Sequence, residues 1–199
     1  MRKVICIGRQ FGSGGHFIAK EFAEKKGLAY FDKKIVERAI ETSGMEPAVM
    51  ERADERTAHP LLQTVYYEGS SKKYYGKNAN DISFEAQKEI ILEDAAKGDS
   101  IFVGRCADVI LKENTNYEVK SIFFTAPIEF RVRQTMATDC LSEKEALAKV
   151  RKMDKLRKAF YNYYTGKDWG KASNYDYCVN TESNSKEEMI ALLMHVYES

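Results

Sequence analysis

The sequence lacks the long apolar run of roughly 20 residues that a membrane-spanning helix needs. Its basic start is followed by too few apolar residues before Gly8 for the core of a signal peptide. It also lacks an excess of positive charge, since 31 lysines and arginines face 30 aspartates and glutamates, so no basic field favours nucleic acid. We therefore expect a cytoplasmic protein that binds neither a membrane nor nucleic acid.

Residues that build metal sites and disulfide frameworks are few and scattered. None of the four cysteines forms a Cys-x-x-Cys pair, which argues against structural zinc, and a disulfide framework is not needed in a reducing compartment. The three histidines share no metal-ligand spacing. Cys6 and Cys178 lie inside apolar runs, so we expect both in the core.

What the sequence does contain is an alternation of short apolar runs and helical patterns, in a chain whose length suits one α/β domain. The runs predict strands at 3–8, 28–31, 100–104, 119–126 and 175–181. Helical spacing of apolar residues covers 15–27, 33–44, 82–98, 127–139, 142–166 and 185–198. Continuous apolar strands separated by helices predict a parallel sheet that is covered on both faces.

Helix boundaries carry their own signals. Ser142 and Glu145 have the spacing of a capping box, and Gly27, Gly98 and Gly166 follow helical patterns as C-terminal caps do. The polar, tyrosine-rich stretch 47–80 interrupts the alternation. It is interpreted either as a lid over a site or as a long surface excursion.

The segment GRQFGSGGHF, residues 8–17, joins the first strand to the first helix. A helix N-terminus presents unpaired N–H groups, and glycine allows a sharp turn and close approach of backbone to an anion. Gly12, Gly14 and Gly15, with Ser13 between them, therefore predict a phosphate-binding turn.

This turn departs from the full phosphate-binding loop, because Gly15 and His16 stand where a lysine and a serine or threonine are expected. The remaining local polar side chains are those of Arg9, Ser13 and His16. A nest of backbone amides can hold an anion without lysine. Charge that develops during phosphoryl transfer then needs cations from elsewhere in the chain.

Six segments resemble, in the same order and across nearly the whole chain, those of cytidylate kinases. They are ICIGRQFGSGGHF, YFDKKIVERA, FVGRCADVIL, IFFTAPIEFRVRQ, KVRKMDKLRKAFY and YDYCVNT. More closely, GRCAD and the YTG-x-DWG segment are similar to the cytidylate kinase-like family, a branch associated with a lysine-less loop. Cys106 departs from the Gly-Arg-Asp pattern of cytidylate kinases, where an aspartate is expected.

The resemblance implies a three-layer, P-loop NTPase-like α/β domain with a five-stranded parallel sheet, a helical insertion of the NMP-binding type and an arginine-bearing lid helix. We expect a single domain, 1–199. Its core would cover about 1–32, 82–141 and 175–199, the insertion about 33–81 and the lid region about 142–174.

Three groups of candidate site residues follow from the residues and the resemblance together. The candidate catalytic cations are Arg9, Arg151 and Arg157. The candidate nucleotide-phosphate ligands are Gly12, Ser13, Gly14, Gly15 and His16. The candidate acceptor ligands are Asp32, Arg38, Arg105, Arg131, Asp154 and Asp176. Ordinary helix capping also explains Asp32, and a solvated charged helix also explains Arg151, Asp154 and Arg157.

For function, the resemblance implies transfer of the ATP γ-phosphoryl group to CMP, dCMP or a related acceptor, with Mg²⁺ carried mainly by the nucleotide. The partners would then be small-molecule nucleotides. The alternative is a nucleotide- or phosphate-binding module that lost transfer with the lysine, and a kinase for a different acceptor also stays open. Base specificity and oligomeric state are not readable from the sequence.

Overall fold

The computed structural model describes residues 1–44 and 77–199, and within these ranges five strands form one parallel sheet. The strands are β1 (Arg2–Arg9), β2 (Ala29–Phe31), β3 (Ser100–Val103), β4 (Tyr117–Thr125) and β5 (Tyr177–Asn180). Their order across the sheet is β2-β3-β1-β4-β5. The predicted parallel α/β sheet is therefore confirmed, with the first strand at its centre.

Seven α-helices occur in the described ranges. They are α1 (Gly15–Lys26), α2 (Lys33–Ser43), α3 (Ala79–Ala95), α4 (Ala107–Lys112), α5 (Ile128–Asp139), α6 (Glu143–Thr165) and α7 (Lys186–Glu198). Six agree with the helical patterns of the sequence. The short α4 was not predicted, because six residues are too few to show a helical period.

Burial on both faces of β1 explains its unbroken apolar run. Val4 and Cys6 pack into one core cluster with residues of α2, α3 and α4. Ile5 and Ile7 point the other way, into a second cluster with residues of α1 and α7. Successive side chains of a strand face opposite sides, so a central strand with helices on both sides must be apolar throughout.

Most helix ends follow the predicted chemistry. Ser142 and Glu145 form the capping box of α6, and Gly27 and Gly166 cap α1 and α6 in the left-handed conformation. Gly98 was predicted wrongly as a cap, since α3 ends at Ala95 and its C-cap is Ala96.

The two core cysteines that the sequence predicted differ in burial. Cys6 is buried in the central strand, but Cys178 is exposed. The prediction for Cys178 failed because β5 is an edge strand, and its inward residue is the buried Val179.

Most of the tyrosine-rich stretch 47–80 lies outside the described residues, so its interpretation as a lid or a surface excursion stays a prediction, as does the division into core, insertion and lid. Within 1–44 and 77–199, no helix combines the length and the apolar character that crossing a membrane requires.

Candidate functional site

A cavity of about 650 Å³ lies where β1, β2 and β3 end, between the glycine turn and helices α2, α5 and α6. Ligands of open α/β sheets bind at this carboxyl edge. The charged groups and the histidine that line the cavity are Arg9, His16, Asp32, Lys33, Glu37, Arg105, Asp139 and Arg157. Its backbone and apolar lining includes Phe11, Gly12, Gly14, Gly15, Phe17, Val36, Ile40 and Met153.

The glycine turn follows β1 directly and is closed by hydrogen bonds within itself. The backbone N–H of Ser13 donates to the Gln10 carbonyl at 3.3 Å, and the Ser13 hydroxyl donates to the same oxygen at 2.9 Å. Gly12 has φ +77, and a Cβ there would lie 2.5 Å from the Arg131 carbonyl oxygen. The conformation of the turn therefore requires glycine at position 12. The turn places the first amides of α1 at the cavity.

The structure gives a steric reason for the missing lysine. A Cβ built on Gly15 would lie 2.7 Å from Cδ2 and 2.9 Å from Cβ of Phe124. Phe124 is fully buried in β4, so its ring has little room to retreat. Core packing thus leaves no room for a lysine side chain at position 15.

Arg9, the last residue of β1, supplies a guanidinium beside the turn. It is 8% exposed, and its Nη2 lies 3.6 Å from Oδ1 of Asp32, which follows β2. The ion pair holds the guanidinium at the cavity wall, because both residues line the cavity.

Arg157 reaches the same place from α6. Its Nη1 donates to the Arg9 carbonyl oxygen at 3.2 Å, and its Cζ lies 5.5 Å from the centroid of the Phe11 ring. The carbonyl and the aromatic face together orient this cation towards the start of the turn.

Arg105 completes a cluster of three arginines, which we call the arginine cluster: Arg9, Arg105 and Arg157. Arg105 follows β3, is 7% exposed and has φ +60, a conformation that side-chain-bearing residues rarely adopt. Burial, followed by the like charges of Arg9 and Arg157 and against the attraction of Asp32, lowers the pKa of the Arg105 guanidinium to about 9. The cavity lining carries four cationic side chains, those of Arg9, Lys33, Arg105 and Arg157, and three carboxylates, those of Asp32, Glu37 and Asp139. The arginine cluster gathers three of these cations beside the glycine turn, which favours an anion there.

His16, in the first turn of α1, is hydrogen-bonded to the Asp32 carboxylate. Its Nδ1 donates to Oδ2 of Asp32 at 2.8 Å, and the Tyr30 hydroxyl lies 2.9 Å from that nitrogen. An ionised carboxylate only accepts hydrogen bonds, so Nδ1 carries the proton and Nε2 is the ring nitrogen left for a ligand.

Asp32 is the negative centre of this arrangement. Burial acts to raise the pKa of its carboxyl group, but the hydrogen bond from His16 and the charges of Arg9 and Arg105 outweigh it and hold the pKa below the usual 3.8. Asp32 therefore stays ionised and orients both His16 and Arg9 at neutral pH.

Arg131 and Asp154, two predicted acceptor ligands, lie behind the turn and do not line the cavity. The Arg131 Nη1 donates to Asp154 Oδ2 at 2.5 Å and to the Phe11 carbonyl at 3.2 Å. Asp154 Oδ1 accepts from the Phe11 N–H at 2.8 Å. This pair fixes the backbone at the start of the glycine turn, so the structure gives it an anchoring role.

Four further predicted residues lie away from the cavity lining, and one of them is Ser13, which is buried within the glycine turn. Arg38 joins α2 to α3 through Asp94 and Glu93. Arg151 is exposed on α6. Asp176 precedes β5 at the opposite end of the sheet, where it accepts from the Ser121 N–H at 2.7 Å and from the Lys112 ammonium at 2.9 Å.

Several lining residues were missed by the sequence analysis. Phe11 and Phe17 flank the glycines in the chain, and their proximity to the turn is a signal that could have identified them. Lys33 directly follows Asp32, and this proximity to a candidate site residue could have identified it as well. Thr135 and Asp139 come from α5, and no local pattern marks them, because only the tertiary fold brings α5 to the cavity.

Comparison with known proteins relates this chain to a family. A family model described as the cytidylate kinase-like family matches residues 4–183. No curated protein matches the chain. The solved structures that match include an uncharacterized protein from Eubacterium ventriosum, 26% identical with a TM-score of 0.71, over 100% of this chain and 99% of that chain.

Two other solved structures are named kinases. A shikimate kinase from Bacteroides thetaiotaomicron is 16% identical with a TM-score of 0.54, over 100% of both chains. A gluconokinase from Sinorhizobium meliloti is 9% identical with a TM-score of 0.55, over 99% of this chain and 94% of that chain. At these identities the likeness establishes a shared fold, the P-loop kinase fold.

Proposed function

Because the chain belongs to the cytidylate kinase-like family, we propose that it is a nucleoside monophosphate kinase that transfers the ATP γ-phosphoryl group to CMP, dCMP or a related acceptor. The observation that carries this proposal is the arginine cluster, whose three members come from distant segments and line one cavity with the glycine turn. Phosphoryl transfer needs positioned cations and exclusion of water more than it needs covalent chemistry from the protein.

In this proposal the first amides of α1 bind the phosphates of the nucleotide, and Arg9 does the work of the absent lysine. Arg157 and Arg105 contribute guanidinium groups whose planar forks suit phosphate oxygens. Asp32 keeps Arg9 and His16 in place through its two oxygens. The cavity is large enough for the reacting ends of two small molecules.

In this proposal Mg²⁺ arrives with the nucleotide and is held mainly by its phosphates. Among residues 1–44 and 77–199, no group of three or more histidine, cysteine, aspartate or glutamate side chains has an arrangement that could hold an ion. Bound Mg²⁺ would neutralise charge on the phosphates. Asp32, through its ion pair with Arg9 and its hydrogen bond with His16, would orient both side chains around the nucleotide.

The second candidate is a binding module without transfer. It is favoured by Gly15 in the place of the lysine and by Cys106 in the place of the aspartate. Such a module would bind nucleotide through the same turn and arginine cluster, and ligand binding would raise its melting temperature without turnover. A kinase for another acceptor would use the same donor site and differ only on the acceptor side.

The experiment incubates the purified protein with ATP, Mg²⁺ and a panel of nucleoside monophosphates, and measures both ADP formation and the melting temperature. ADP formation that depends on CMP or dCMP supports the proposal. Stabilisation by ATP without ADP formation from any acceptor supports the binding module. A folded protein that shows neither would contradict both candidates.

A further inference from the structure

Gly104 lies beside the end of the central strand, in contact with its last residue. It follows β3, the neighbour of β1, and its backbone N–H donates to the Ile7 carbonyl at 2.9 Å. Arg9 lies two residues beyond Ile7 on the same strand. The sheet thus brings the backbone of position 104 next to the side chain that the proposed function uses as the substitute cation.

The Arg9 guanidinium occupies the space that a side chain at position 104 would need. A Cβ built on Gly104 would lie 2.2 Å from Nη1 and 3.2 Å from Cζ of Arg9. The opposite nitrogen, Nη2, is the one that lies 3.6 Å from Asp32. The guanidinium is therefore confined between the Gly104 backbone on one side and the Asp32 carboxylate on the other.

We propose that Gly104 is a positioning residue, whose missing side chain creates the place in which Arg9 is held at the glycine turn. This inference rests on the proposed function, because it concerns how the substitute for the lysine is aimed. The position of the Arg9 guanidinium thus depends on two residues, Arg9 at the end of β1 and Gly104 directly after the adjacent strand β3.

Gly104 could matter because its backbone conformation requires glycine or because its missing side chain leaves room for Arg9. A methyl group at position 104 distinguishes these two roles. Gly104 has φ +79, so any side chain there is strained. The obstructed atoms, however, are the far end of a flexible side chain, which moves at little cost to the fold. Gly104→Ala should therefore lower stability only by the strain of its backbone, while it displaces Arg9 and reduces function far more.

Gly166 offers a matched control. It has φ +66, it caps α6, and nothing lies within 4 Å of a Cβ built there. Gly166→Ala introduces similar backbone strain without obstructing Arg9, so each substitution should lower the melting temperature by about 2–4 °C. Turnover should fall at least about 30-fold in Gly104→Ala and stay within about threefold in Gly166→Ala, since misplacement of a catalytic group by 1 Å costs on the order of 100-fold.

A double variant separates Arg9 from the neighbouring Arg105. If Gly104→Ala acts through Arg9, it weakens ATP binding in the wild-type background and adds nothing in the Arg9→Ala background. Additive losses in ATP affinity would mean that the substitution acts through another group, and would overturn the inference. Equal turnover of the two glycine variants would also overturn it.

The wild-type protein in the same assays decides the proposed function separately. Wild-type ATP binding without transfer would refute the kinase, while the comparison of ATP affinities would still decide the role of Gly104. If the wild-type protein bound no ATP, both the proposed function and this inference would fail.

Discussion

Five arginines that the sequence marks as candidate site residues fall into two groups in the structure. Arg9, Arg105 and Arg157 line one cavity beside the glycine turn. Arg38 and Arg131 lie away from the cavity lining and pair with Asp94 and Asp154 respectively. The sequence makes Arg9 and Arg157 candidate catalytic residues and the other three candidate acceptor ligands, yet only the first group lines the cavity.

The positions of these arginines in the fold differ. Arg9 and Arg105 follow the ends of adjacent strands, and the carboxyl edge of a parallel sheet is where its ligands bind. Arg38 and Arg131 lie within helices, where a neighbouring helix supplies a carboxylate. Arg157 lies within α6, so a position at a strand end marks two of the three arginines that line the cavity.

The largest effect that tests this comparison is expected from Arg9→Ala. Loss of one preorganised donor at a developing charge costs on the order of 100- to 1,000-fold in turnover. Arg38→Ala should leave turnover within about threefold, since Arg38 contacts α3 and lies away from the cavity lining. ADP formation at saturating ATP measures both variants.

Equal losses of turnover in the two variants would contradict the distinction between Arg9 at the cavity and Arg38 away from it. Such a result would return Arg38 to the acceptor-binding role that the family resemblance implies. A loss confined to Arg9→Ala would leave Arg38 as a helix-to-helix contact.

The next effect concerns stability in the second group. Asp154→Asn removes the charge that pairs with the buried Arg131, and we expect a loss of about 3 kcal/mol in the free energy of unfolding. Arg133→Ala on the same helix breaks an exposed pair with Glu182 and should change stability by less than about 0.5 kcal/mol. Urea denaturation measures both, and similar losses for the two variants would contradict an anchoring role for Asp154.

The smallest effect is a dependence of stability on pH that comes from Asp32. Because the pKa of Asp32 in the folded protein lies below 3.8, its ionised form adds stability that is present above pH 3.8 and disappears as pH falls through the folded pKa. The stability difference between wild type and Asp32→Asn should therefore be constant near neutral pH and shrink in the more acidic range. A difference that stays constant throughout acid titration would show that Arg9 and His16 do not depend on this charge.

Apolar runs were enough to predict the sheet and six helices, because a buried strand and an amphipathic helix are each local patterns. The glycine turn and Arg9 were likewise predictable from their place after the first strand. The anchoring pair was not, since Arg131 and Asp154 meet only when α5 packs on α6. The contact of Gly104 with Arg9 depends on strand order, which the local pattern of neither segment reveals.

The steric cause of the missing lysine was also beyond the sequence. Gly15 could be recognised as a substitution in the expected loop, but the obstruction comes from Phe124 on another strand. The left-handed conformations of Arg105 and Cys106 are similarly unexpected, because neither residue type favours a positive φ. These features belong to the site, where strain and close contacts are set by distant parts of the chain.

Whether Arg9 replaces the lysine can be seen in a crystal structure with Mg²⁺ and a non-hydrolysable ATP analogue. We expect oxygens of the β- or γ-phosphate to lie within about 3 Å of both the amides that begin α1 and the Arg9 guanidinium. A triphosphate bound in the turn with Arg9 more than about 5 Å from every phosphate oxygen, beyond hydrogen-bond reach, would contradict it.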